Sequence, residues 1–95
     1  MLRYSFSRAA ARDLDSIDEY LSERNPDAAV RVLASIVATI RRACAFPEAA
    51  PEIDEPGAVP GTRKLIETDY RYVIYYRVLG TILIVLRVFH GSQQR

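Results

Sequence analysis

The stretch YRYVIYYRVLGTILIVLRVF, residues 70–89, carries the clearest structural signal in the chain. β-Branched and aromatic side chains dominate it, as is typical of strands, and Gly80 interrupts it near the middle. The pattern predicts two antiparallel strands, residues 70–78 and 81–89, joined by a tight turn. Because Leu79-Gly80 is not a pair that favours a two-residue turn, we predict a three-residue loop over residues 78–80.

The predicted loop determines which side of the sheet each side chain faces, since a shift of one residue reverses both faces. It pairs Tyr75 with Leu83 and Arg71 with Arg87. One face is then free of charge, and we expect it beneath the helices: Tyr72, Ile74, Tyr76, Val78, Ile82, Ile84, Leu86 and Val88. The other face mixes apolar and arginine side chains, and we predict that it binds a partner protein: Arg71, Val73, Tyr75, Arg77, Leu83, Val85, Arg87 and Phe89.

The predicted pair of arginines has two explanations. Two guanidinium groups directly opposite each other repel unless an anion lies between them, which indicates a binding site. Equally, both could pair with acids of a loop upstream, such as Glu52, Asp54 or Glu55, in a structural ion-pair network. The sequence leaves both open.

Two helices are predicted upstream of this hairpin, after a short strand over residues 2–6. The first begins at Ser7, which can cap it, and has an apolar stripe at helical spacing: Ala10, Leu14, Ile17 and Leu21. Its acids are predicted to form a solvated face: Asp13, Asp15, Asp18, Glu19 and Glu23.

Asn25-Pro26-Asp27 ends this helix and begins a second one, because Asn25 can cap and proline suits the first helical position. The second helix has two adjacent apolar stripes, one of which includes Cys44, so we predict a buried structural thiol there. An irregular connection over residues 47–61 and a strand over residues 62–67 follow. The predicted class is α+β in the order β-α-α-β-β-β, with both helices on one face of a mainly antiparallel sheet.

The composition is that of one small globular domain over residues 1–95, with 49% hydrophobic and 26% charged residues. The net charge is +1, but residues 60–95 carry six bases and two acids, so we expect the second half to meet something anionic. One cysteine and one histidine exclude a His/Cys zinc site, and no other metal or cofactor is expected. No signal peptide or membrane span is recognisable, so we expect a cytoplasmic protein.

The order and spacing of several short motifs resemble the RelE/ParE superfamily of type II toxin–antitoxin toxins over nearly the whole chain. These motifs are Tyr4-x-Phe6-Ser7-x-x-Ala10-x-x-Asp13-Leu14, Asn25-Pro26-x-Ala28-Ala29, Phe46-Pro47, Pro60-Gly61-x-Arg63, residues 70–76 and Val88-Phe89-His90-Gly91. The resemblance implies growth arrest by the free toxin. It also implies a hetero-oligomer with a small cognate antitoxin, whose disordered C-terminal segment folds across the toxin.

The superfamily has two branches with different targets. The RelE-like branch cleaves mRNA in the ribosomal A site without a metal, and the resemblance makes its candidate catalytic residues Arg63, Lys64, Arg71, Arg87 and His90. The ParE-like branch inhibits DNA gyrase and has no such set. The tail GSQQR lacks the tyrosine of the nucleases, and a net charge of +1 is weak for binding rRNA, so we favour the ParE-like branch. The alternatives are the ribosome-dependent nuclease and a non-toxic antitoxin-binding module.

Overall fold

The structure, a computed structural model, describes residues 1–92. Its elements are β1 (Arg3–Phe6), α1 (Arg8–Arg24), α2 (Pro26–Ala45), β2 (Arg63–Glu67), β3 (Tyr72–Leu79) and β4 (Ile82–His90). The sheet has the order β1-β4-β3-β2, with β1 parallel to β4 and the other pairs antiparallel. Both helices pack on one face of this sheet. The predicted α+β class and element order are confirmed.

Both helices begin at the predicted capping residues. The Ser7 hydroxyl accepts a hydrogen bond from the Ala10 N–H at 3.0 Å, and the Asn25 side chain accepts one from the Ala28 N–H at 3.2 Å. The Asn25 N–H also donates to the Leu21 carbonyl at 2.7 Å, so this single residue joins the two helices. No helix in the described part of the chain is long and apolar enough to cross a bilayer.

The core lies between the helices and the sheet. Ile36 and Ile40 of α2 are fully buried against Ile74 and Tyr76 of β3 and their neighbours, and Ala10 of α1 joins them. Cys44 is buried, as predicted, and burial raises the pKa of its thiol, which therefore stays protonated and unreactive at neutral pH.

The predicted turn between β3 and β4 is wrong. The two strands pair from Leu79 and Ile82, so the turn has two central residues, Gly80 and Thr81. Gly80 has a φ of +59° and Thr81 has no positive φ, which is the combination of a type II′ turn with glycine first. The favourable pair is therefore Gly80-Thr81, one residue after the pair from which we predicted the turn.

Because of this shift, the side chains in the first half of β4 lie on the side of the sheet opposite to the one predicted. Val85 lies opposite Tyr76, and both Leu83 and Val85 are in the core with 1% and 0% of their surface exposed, not on the open face as predicted. Ile82 and Ile84, which we expected beneath the helices, lie on the other side.

A β-bulge then restores the predicted faces further along the hairpin. The partner of Tyr76 is Val85 and that of Tyr75 is Arg87, so Leu86 is the extra residue on β4. Beyond it, Phe89 pairs with Val73, as the predicted faces require. Arg71 precedes β3, in the turn after β2, so the predicted pair of Arg71 with Arg87 does not form.

The turn between β2 and β3 is held by Glu67, a residue that the sequence analysis did not single out. Glu67 is 1% exposed, and its carboxylate accepts hydrogen bonds from the Ser35 hydroxyl at 2.6 Å and from the backbone N–H groups of Asp69, Tyr70 and Tyr72. Among residues 1–92 it forms no ion pair, so these donors alone compensate the buried charge.

We expect Glu67→Ala to lower the free energy of unfolding by about 3–4 kcal/mol, because it leaves several buried donors without an acceptor. Glu67→Gln should cost less, since the amide oxygen still accepts. Urea denaturation followed by circular dichroism measures both, with Glu19→Ala on the exposed side of α1 as the control. A loss below about 1 kcal/mol for Glu67→Ala would show that the turn does not depend on this carboxylate.

Candidate functional site

The candidate site is the side of the sheet away from the helices, which we call the outer face. The strand pairing places twelve residues there: Arg3, Ser5, Lys64, Ile66, Val73, Tyr75, Arg77, Leu79, Ile82, Ile84, Arg87 and Phe89. Five of these were among the eight residues predicted to bind a partner. Of the other three, Leu83 and Val85 are in the core and Arg71 is in a turn.

The outer face combines positive charge with exposed apolar surface. Arg3, Lys64 and Arg77 take part in none of the ion pairs between described residues. The Arg77 Nε is buried without a hydrogen-bond partner. Ile66 is 46% exposed beside these cations, and Ile84 is directly opposite Arg77. The face can therefore accept a partner that has both carboxylates and apolar side chains.

Two aromatic residues in contact, Tyr75 and Phe89, lie at one end of the outer face. The Tyr75 and Phe89 rings meet edge to face with centroids 5.3 Å apart, and Phe89 and its strand partner Val73 are buried. Burial raises the pKa of Tyr75, and the negative charge of Glu55 in the long connection raises it further. The Tyr75 hydroxyl thus stays neutral and can donate a hydrogen bond.

The strand pairing puts Arg87 on the outer face, but its guanidinium group reaches the helical layer and is held there by a carboxylate of α1. Its Nε and one terminal nitrogen contact the two Asp13 oxygens at 2.8 and 3.1 Å, and Asp13 also accepts from the Val88 N–H at 2.9 Å. The hydrogen bond that Arg87 donates to Asp13 is the largest effect that raises the Arg87 pKa. The prediction that Asp13 belongs to a solvated face is wrong, because its side chain is only 14% exposed.

Arg63 fixes the long connection to β2. It donates to the Ala50 carbonyl at 2.6 Å and to the Glu48 carbonyl at 3.4 Å, and it forms an ion pair with Glu52 at 3.5 Å. An acid of the connection therefore pairs with an arginine, but with Arg63 rather than with Arg71 or Arg87.

His90 is the last residue of β4 and pairs with Tyr72 at the start of β3. It lies beside a cleft of about 850 Å³ between α1 and the end of β4. Its ring meets Tyr72 edge to face at 5.2 Å, and its Nδ1 is 2.7 Å from the Ser92 hydroxyl. Arg71 is exposed nearby with a φ of +66°, and its carbonyl accepts from the Gly91 N–H at 2.7 Å.

The five RelE-like candidates do not form one cluster. Arg63 and His90 pair with Tyr76 and Tyr72, four residues apart on β3, which is about 13 Å along a strand. Both pair with core-facing residues, whereas Lys64 pairs with Tyr75 on the outer face. Arg63 and Arg87 are also engaged by protein groups.

Comparison with known proteins identifies the family. The family described as the ParE toxin of type II toxin–antitoxin systems, parDE, matches residues 4–95. The chain belongs to the ParE toxin family. It is therefore a toxin of a type II toxin–antitoxin system, and the resemblance seen in the sequence is confirmed.

Two curated relatives are also named as toxins. The chain is 35% identical over 92 residues to Y4kP of Sinorhizobium fredii, covering 97% of this chain and 91% of the relative. It is 32% identical over 88 residues to toxin RelE1 of Caulobacter vibrioides, covering 90% and 89%. One of these two relatives is thus named after the RelE branch of the superfamily.

Solved structures share the same fold. The chromosomal ParDE toxin–antitoxin system of P. aeruginosa contains a chain with 26% identity and a TM-score of 0.76, which covers 97% of this chain and 98% of its own length. The protein HP0894 of Helicobacter pylori, at 20% identity and a TM-score of 0.62 with 98% coverage of both chains, shows the fold alone.

We expect Asp13→Ala in this ParE-family toxin to cost more stability than Arg87→Ala, because Asp13 also accepts from the Val88 N–H. The predicted losses are about 2 and 1 kcal/mol, reduced from those of a buried pair because the Arg87 side chain is 40% exposed. A double-mutant cycle in urea should give a coupling of about 0.5–1 kcal/mol. Equal losses with no coupling would contradict a structural role for this contact.

Proposed function

We propose that this toxin arrests growth by binding DNA gyrase, and that a cognate antitoxin neutralises it by covering the outer face. Membership of the ParE family supports this target, because the resemblance implies gyrase inhibition for that branch. The observation that carries the proposal is the dispersal of the nuclease candidates over two sides of the sheet. The proposed action is in the cytoplasm.

The contacts of Arg63 and Arg87 argue against a nuclease. Stabilisation of a phosphate in a transition state requires cations that are already aimed at one position. Arg87 would have to leave the Asp13 carboxylate, and Arg63 would have to release the Ala50 carbonyl. Each movement would leave a partly buried acceptor without its donor. This would cost free energy and so reduce the stabilisation of the transition state.

The outer face suits contact with another protein. Arginine and tyrosine are among the residue types that most often contribute strongly to the affinity of protein interfaces. Tyr75 and Arg77 are two residues apart on β3 and therefore neighbours on this face. Arg3 and Lys64 flank them, and exposed Ile66 adds apolar surface. An antitoxin segment that alternates acidic and apolar side chains would complement this arrangement.

The gyrase proposal is tested with purified toxin and relaxed plasmid. We expect micromolar toxin to block supercoiling or to accumulate gyrase–DNA cleavage complexes, and we expect prior addition of antitoxin to abolish the effect. A parallel translation reaction should leave its message uncut.

Three results would reject the gyrase proposal. Codon-positioned cuts in the translated message with normal supercoiling would establish the ribosome-dependent endonuclease instead, and Arg87→Ala and His90→Ala would then be its test variants. Normal supercoiling with an uncut message, or overexpression of folded protein without growth arrest, would indicate a non-toxic antitoxin-binding module.

The antitoxin proposal is tested by reversing one charge on each side of the molecule. We expect Lys64→Glu to weaken antitoxin binding at least tenfold in calorimetry, because a carboxylate would then face the acidic partner segment. The matched control is Arg12→Glu on α1, which lies in the helical layer and is exposed. Equal affinities for the two variants would place the antitoxin elsewhere.

A further inference from the structure

The exposed side of α2 has an unusual composition. Five residues follow one another along it at helical spacing, and we call them the α2 ridge: Asp27, Val30, Ala34, Ala38 and Arg41. All five are exposed, Val30 to 69%. Leu33 and Val37 line a shallow depression of about 610 Å³ beside the ridge. An apolar strip with one charge at each end thus faces away from the core.

The neighbouring helix shows that this is not a general property of the helical layer. The exposed side of α1 is charged along its length: Arg8, Arg12, Asp15, Asp18, Glu19 and Glu23. A single exposed valine would be ordinary, but an apolar strip about two turns long, from Val30 to Ala38, on one helix only indicates a contact surface.

The charges of the α2 ridge are symmetric about its centre. Asp27 precedes Ala34 by seven residues and Arg41 follows it by seven, so the two charges are about 21 Å apart along the axis. An antiparallel copy of α2, related by a two-fold axis at Ala34, brings Asp27 of each copy next to Arg41 of the other. Among residues 1–92, neither Asp27 nor Arg41 forms an ion pair within the chain.

We propose that a second copy of this chain binds the α2 ridge, with the two α2 helices antiparallel and Ala34 at the two-fold axis. The same surface is used by both subunits, as a two-fold dimer requires. Ala34 and Ala38 have small side chains that let the helices approach closely, and Val30 of each subunit packs over Ala38 of the other. The two ion pairs fix the direction and the register, while the apolar contacts supply most of the affinity.

The proposed dimer does not use the outer face. The α2 ridge lies on the far side of the helical layer from the sheet, so a dimer leaves Lys64 and Tyr75 accessible to an antitoxin. Arg31 and Arg42 remain in water at the rim of the contact. A contact made by one helix from each subunit is small, so we expect a dimer in the micromolar range.

Reversing each charge separately tests the proposed pairing. We expect wild-type toxin at about 100 µM to sediment as a dimer, and Asp27→Arg and Arg41→Asp each to raise the dissociation constant at least tenfold. An equimolar mixture of the two variants should dimerise again, because each then presents the charges that complement the other. Lys64→Glu is the control and should dimerise normally. Circular dichroism verifies that each variant is folded.

Disulfide formation tests the position of the two-fold axis. We expect Ala34→Cys to cross-link to itself on oxidation, since the native Cys44 is buried and cannot compete. Ala38→Cys should cross-link with Val30→Cys and only weakly with itself. Monomeric wild-type toxin overturns the proposal, and so does a dimer that tolerates both charge reversals or gives no Ala34→Cys cross-link. None of these results depends on the gyrase target.

Discussion

The type II′ turn at Gly80-Thr81 is the constraint on which the other surfaces depend. A two-residue turn fixes the register of β3 against β4, and the register decides which side chains enter the core. With this turn Leu83 and Val85 are buried and Ile82 and Ile84 face outward. The bulge at Leu86 then reverses the alternation once, so that Val88 also enters the core. One turn and one extra residue thereby define both faces of the sheet.

Asp13 supplies a hydrogen-bond acceptor to β4 beyond the end of its pairing with β1. β1 pairs with β4 only as far as Val85, and beyond this point the Asp13 carboxylate accepts from the Val88 N–H in place of a neighbouring strand. The same carboxylate binds the Arg87 guanidinium. An arginine that would bind phosphate in a nuclease thus connects α1 to the sheet.

Much of this structure could be predicted from local patterns. The helix caps at Ser7 and Asn25, the element order and the burial of Cys44 all follow from spacing and turn chemistry. The turn was misplaced because two candidate dipeptides overlap at Gly80, and no local pattern marks the bulge. Asp13 was also missed, although it lies one turn from Ala10 and from Ile17 on the apolar stripe. The spacing of Asp13 from these two residues would have indicated that its carboxylate lies on the buried side of α1.

Asn25 couples the local unfolding of the two helices. The Asn25 N–H donates to the last turn of α1, and its side chain accepts from the first turn of α2. Neither helix end can therefore fray without releasing the other. The layer should therefore exchange its amide hydrogens as one cooperative unit. An insertion at this junction would break that unit, so variation in length is better tolerated in the connection between α2 and β2.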